Sequence, residues 1–227
     1  MVKQERQPNH SARRLKVTIA LAIANLCVLT LYLSGWTYHQ AQEEPALHGN
    51  ERLVAKGFTT QAEPVEFASL KVKGIPAHLA EKFEGEADWL QDVTIRLTNR
   101  AAKPITWARI DIDFPETGAT GHVLLHQLFV GRHPDLEVTR SNPPLRLLPH
   151  DSLEVSLAAD YGQIKRLIEL RYPSVNLIHK ATFRLGEVLF DDDTLWSGGH
   201  LFKRNPDAKA VRKWLRVSDE QFVPDSK

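Results

Sequence analysis

VTIRLTNRAAKPITWARIDIDF, Val93 to Phe114, is the stretch whose reading decides the fold. Val93, Ile95 and Leu97 alternate with Thr94, Arg96 and Thr98; Ile110, Ile112 and Phe114 alternate with Arg109, Asp111 and Asp113. A period of two sends successive side chains to opposite faces of a pleated strand. Each run therefore predicts a strand with one buried and one solvated face. Asn99 to Pro104 is the turn between them, and Pro104 opens the second strand, where its missing N–H is tolerated. By the same parity Trp107 shares the solvated face with Arg109, Asp111 and Asp113. An exposed tryptophan among charges marks these four as a possible interaction surface.

The pattern continues on both sides. VEFASLKVKG (65–74) alternates, but its phase slips between Phe67 and Leu70, which suits a bulge or a break. HVLLHQLFVG (122–131), LRLLP (145–149) and SLEVSLA (152–158) predict three more strands. ATFRLGEVLF (181–190) and TLWSGGHLF (194–202), joined by Asp191-Asp192-Asp193, predict a hairpin, with Gly198-Gly199 allowing a bulge. Asp160 and Gln163 have the spacing of a capping box ahead of Ile164, Leu167 and Ile168, so a short helix starts there and stops by Pro173. PDAKAVRKWLR (206–216) predicts a short terminal helix. About seven closely spaced strands with one or two short helices, and no strand–helix–strand rhythm, predict a mainly β domain. Its architecture is one antiparallel β-sandwich over residues 64–205, with the helix and tail in 206–227.

Upstream the character changes. Val17 to Tyr38 contains no Asp, Glu, Lys, Arg or His. At about 1.5 Å per residue it is long enough, as a helix, to cross a hydrocarbon core of about 30 Å. Trp36 and Tyr38 mark its far end, where amphipathic rings favour the headgroup region. Lys3, Arg6, Arg13, Arg14 and Lys16 precede it against one acid, Glu5, which predicts a cytosolic N-terminus. The chain then divides into a basic cytosolic arm (1–16), a transmembrane signal anchor (17–38), a flexible stalk (39–63) and the extracytoplasmic sandwich. The rival reading is a cleaved secretory signal, but no Ala-x-Ala follows Leu33, and His39-Gln40-Ala41 is a poor substitute. A twin-arginine signal fits the residues after Arg13-Arg14 weakly.

Charge and cysteine usage exclude several function classes. The first 16 residues hold five Lys/Arg and one Glu; the remaining 24 basic and 27 acidic residues leave the rest net −3. A weakly acidic domain offers no electrostatic case for nucleic acid. Cys27 is the single cysteine and lies in the apolar run. Downstream of it, disulfides, cysteine-ligated zinc and a blue-copper centre are excluded.

Two stretches carry a resemblance. Residues 93–114, in which a strand ends in Asn, turns through Lys-Pro and re-enters as a strand, resemble extracytoplasmic bacterial immunoglobulin-like domains. FDDDTLWSGGHLFKRNP (190–206) is similar to the C-terminal hairpin of some uncharacterised bacterial envelope proteins. The resemblance implies an immunoglobulin-like sandwich outside the membrane. It implies no activity, and the Cys…Trp…Cys core of antibody domains is absent.

No other constellation outweighs its structural reading. His122 and His126 lie about 13 Å apart on a strand, too far to share a metal, and HVLLH lacks the Glu of HExxH. Asp191 to Asp193 are consecutive acids without the alternation of a calcium loop. Asp111 and Asp113 stand about 7 Å apart, but on a solvated face rather than in a cleft. Trp196-Ser197-Gly198-Gly199-His200 lacks the first glycine of a nucleophile elbow. The sequence thus predicts no catalytic, cofactor-binding or metal residues and no cofactor. It predicts a single-pass protein of the bacterial inner membrane whose periplasmic domain is a non-enzymatic interaction or scaffolding module with a protein partner in the envelope. The alternative is a sandwich that binds a small molecule or glycan, or a hydrolase of unfamiliar pattern. A third option is an assembly factor whose span recognises a partner helix through Asn25. Partner and oligomeric state stay open.

Overall fold

A strand with residues of one kind on one face needs a second layer to cover it, and here two sheets cover each other. The computed structural model describes residues 49–217 apart from 59, 61, 208, 210 and 211. The arm, the apolar run and the first part of the stalk lie outside the described residues. Among the described residues no helix is long and apolar enough to cross a membrane.

The smaller sheet holds β2 (Val65–Val72), β3 (Ile75–Ala77), β5 (Val93–Asn99) and β8 (Ser152–Ser156) in the order β3-β2-β5-β8, antiparallel throughout. The larger sheet is built around β9 (Lys180–Phe190). One edge of β9 pairs with β6 (Ile105–Phe114), which pairs with β7 (Leu124–Gly131). The other edge forks. The first half of β9 pairs in parallel with β1 (Glu51–Lys56), and β4 (Lys82–Glu84) lies outside β1. The second half pairs with β10 (Thr194–Ser197), followed by β11 (His200–Arg204) and β12 (Trp214–Arg216).

The alternating runs land as their parity demands. Ile95 and Leu97 of one sheet and Ile110, Ile112 and Phe114 of the other are buried in the same core. α1 (Tyr161–Glu169) adds Ile164 and Ile168 to it. The slip in β2 is a bulge between Phe67 and Ser69, which returns Leu70 to the core. Asn99 explains the crossing from sheet to sheet. It is fully buried, its Nδ2 donates to the carbonyls of Lys103 and Leu147 at 2.9 Å each, and its Oδ1 accepts from the amide of Ala101. One side chain thereby serves two backbone groups of the tight connection, at Ala101 and Lys103, and ties the connection to Leu147.

Six expectations need correction. Residues 51–56, expected in a stalk, are β1. Leu53 and Val54 are both buried because β1 runs between β4 and β9 with both faces covered, so the two-residue period that marks a half-exposed strand is missing. Its pairing with β9 is parallel, in a domain expected to be antiparallel. LRLLP contributes one isolated bridge, Leu147 to Ile105, rather than a strand. Gly198 and Gly199 make no bulge: both have positive φ, 56° and 85°, and form the two-residue turn that pairs Ser197 with His200. Trp214–Arg216 is β12 rather than part of a helix, because its partner β11 has a free edge to offer. The helix start is as expected, but Asp160 makes no side-chain cap; its carboxylate meets buried His126 of β7 at 3.4 Å.

Candidate functional site

The four residues of the expected surface are on one face, opposite Ile110 and Ile112, yet that face is not open. Trp107 is fully buried. It stacks on Phe129 at 6.1 Å and meets His133 edge-on at 4.6 Å, and Leu189, Leu195, Phe202 and Trp214 complete a second apolar cluster around it. The C-terminal strands and the segment after β7 fold back over this end of the sheet, which parity within β6 does not reveal. Burial holds His133 below the ordinary imidazole range, with Asp135 and Glu187 opposing and Arg204 assisting.

Arg109, Asp111 and Asp113 belong to a ladder of alternating charge. Arg109 lies 3.3 Å from Glu187 and 3.1 Å from Asp111; Arg184 lies 3.9 Å from Asp111 and 3.5 Å from Asp113. Partial burial raises the Asp113 carboxyl; Arg184 opposes this and Asp111 adds to it. The ladder needs Gly186. The register jumps from Arg109–Glu187 to Ile110–Leu185, and a Cβ on Gly186 would stand 2.6 Å from Arg109 Nε. These charges pair with one another across two strands, and Arg109, Asp113 and Arg184 stay partly exposed.

The accessible site lies elsewhere, on the flank where β3 ends one sheet and β4 ends the other. Between these two edges is a groove of about 360 Å³. Val72, Ile75, Ala77 and Phe83 line it, with Trp89 beneath. Trp89 is fixed: its Nε1 donates to the Ile178 carbonyl at 2.8 Å, and Phe83 packs against it edge-on at 5.6 Å. Ile75, by contrast, is 69% exposed. At the mouth Lys73 and Glu86 pair at 2.7 Å, a contact that raises the Lys73 pKa. Lys82 pairs with Glu51 at 3.0 Å. Exposed Glu81 and Glu84 have no ion pair among the described residues.

The two edges differ as hydrogen-bonding surfaces. Pro76 at the centre of β3 has no N–H to offer, a common way of blunting an edge strand. On β4 the pairing alternates. Gly85 N–H bonds the Asn50 carbonyl, so Phe83, two residues away, also directs its backbone toward β1. The N–H and C=O of Glu84 then point outward.

Comparison with protein-family models, curated proteins and solved structures finds no match. The site therefore rests on its own geometry.

Sequence reading did not bring these groove residues together as a site. Two signals were available. Lys73-Gly74 between apolar residues is a two-residue hairpin turn, and both have positive φ. EKFEGEADWLQD (81–92) carries five acids to one base, a local charge bias around a Phe and a Trp. His126, His133 and the three aspartates of 191–193 stay apart as ligands. Among the described residues no group of three His, Cys, Asp or Glu could hold a metal ion. Asp192 instead accepts from the Lys103 amine and from the hydroxyl and amide of Thr194; these bonds hold its pKa low although burial alone would raise it.

Proposed function

We propose that this chain is a membrane-anchored interaction module of the bacterial envelope, with a periplasmic immunoglobulin-like sandwich that docks a protein partner without catalysing a reaction. The apolar run Val17 to Tyr38 behind a basic arm supports the anchor and its orientation. Strand order supports the immunoglobulin-like reading. β2-β5-β8 facing β7-β6-β9-β10 has the arrangement of strands A-B-E against C′-C-F-G in that fold, with β5 to β6 as the B–C crossing.

The observation that carries the function is the groove: an apolar slot between two sheet edges, with Ile75 left exposed at its rim. Scattered exposed apolar residues are ordinary in folded proteins; one beside an apolar concavity marks a contact site. The groove's volume is at the low end for small-ligand pockets. The strand edge beside it favours a polypeptide over a small molecule or glycan.

The test is photo-crosslinking of the full chain in its native membrane, with a photoreactive amino acid at Ile75 and, in a second sample, at Leu170. Leu170 is 79% exposed but lies at the end of α1, away from the groove. A discrete protein adduct from position 75 that is missing from position 170 is expected. No adduct at 75, or the same adducts at both positions, would sink the reading.

A further inference from the structure

The groove has an orientation as well as a place, and this narrows what it takes. On β4, Phe83 turns its side chain into the groove, while Lys82 and Glu84, one residue to either side, are exposed and Glu84 also borders the groove. The outward backbone groups of Glu84 form a docking point for one more strand, while Pro76 denies the same to β3. A strand laid along β4 would present its own side chains alternately. One set would enter the slot beside Phe83 and Ile75; the other would stand beside Glu84.

Charge selects the second set. Segment 81–92 carries Glu81, Glu84, Glu86, Asp88 and Asp92 against Lys82 alone. Lys82 is engaged by Glu51, and Lys73 is engaged by Glu86. Glu81 and Glu84 are exposed acids without an ion pair among the described residues. An anionic lipid surface is repelled by this rim, and an acidic peptide equally.

We propose that the groove binds an extended partner segment by strand addition to β4, and that the segment alternates apolar residues with Lys or Arg. This rests on the reading of the chain as an interaction module and specifies its ligand. Main-chain bonds to Glu84 supply affinity, the slot selects the apolar residues, and the acidic rim selects the basic ones.

The experiment is selection of displayed random 12-residue peptides on the full chain in lipid nanodiscs, with empty nanodiscs as the counter-selection. Enriched peptides are then synthesised and titrated against three proteins: wild type, Glu84→Pro and Glu84→Lys. Expected is a consensus alternating apolar with Lys/Arg residues. Binding should weaken at least tenfold with Glu84→Pro, which removes the outward amide, and at least tenfold with Glu84→Lys, which reverses the charge. High salt should weaken it further. Should Glu84→Pro not fold, Glu84→Lys leaves the β4 backbone intact and carries the test. Failure to enrich any peptide overturns the proposal. So does a consensus without basic residues, or binding indifferent to Glu84→Lys. Each such result leaves the interaction module standing if the Ile75 crosslink is still obtained, so the two ideas fail separately.

Discussion

The two-sheet domain has two flanks, and they are finished differently. On one, where β7 and β8 are the outermost strands, α1 lies against β7 and seals the space with Ile164 and Ile168. On the other, β3 and β4 face each other over the single 3-10 turn Trp89–Asp92, and Ile75 stays exposed above a floor of Phe83 and Trp89. The same problem, apolar residues at the open side of two stacked sheets, is solved once by the chain itself and once left unsolved. The flank left open is free to meet another molecule.

The contrast predicts a graded response. The largest effect belongs to the sealed flank. Ile168→Ala empties a fully buried position and should cost about 2–5 kcal/mol. Denaturant unfolding of the full chain would show it as a lowered midpoint. An effect under about 0.5 kcal/mol would mean that α1 is ornamental and that the flanks do not differ. Trp89→Phe at the floor of the open flank should cost less, about 1–3 kcal/mol, because it orphans the Ile178 carbonyl while keeping most of the ring volume.

Titration reaches a part of the molecule that belongs to neither flank. His133 has a folded-state pKa below its ordinary value of about 6.5. Between those two values the unfolded chain binds a proton that the folded one refuses, so stability is full above about pH 6.5 and declines as pH falls through it. Thermal unfolding midpoints of wild type should drop between neutral and mildly acid pH more steeply than those of His133→Asn, whose Oδ1 keeps an acceptor for the amide of Asp135. Equal slopes would assign the acid sensitivity elsewhere. The smallest change in stability is reserved for Ile75→Ser, within about 0.5 kcal/mol, as for other exposed sites. The same substitution should remove the crosslink partner's contact and lower peptide affinity several-fold. A large loss of stability would show that the groove is core rather than a site.

How much of this was legible beforehand follows from burial geometry. β5 and β6 were readable because each buries one face in the main core, so the period of two survives in the sequence. The bulge in β2 was readable as a slip in that period. β1 was not, because a strand covered on both faces has no alternation to show. Trp107 was placed on the correct face and given the wrong exposure. Local pattern reports which side of a strand a residue takes, and only the return of β11 and β12 and the segment carrying His133 decides whether that side meets water. The groove was invisible for a related reason. β3 and β4 are three residues each, too short to establish a period, and the site exists only because two sheets end beside each other.

The fork beside β9 has a mechanical consequence. β1 is the first strand of the described domain, and it is held along one edge by β9 and along the other by β4. A pull on the chain at Gly49 draws β1 lengthwise, so the hydrogen bonds on both edges are stretched together in shear rather than opened one after another like a zipper. Forced unfolding is set by the rate of crossing such a barrier, not by equilibrium stability. The short strand whose sequence read as a loose stalk is thus a clamp: tension arriving from the upstream chain meets a strand held on both edges.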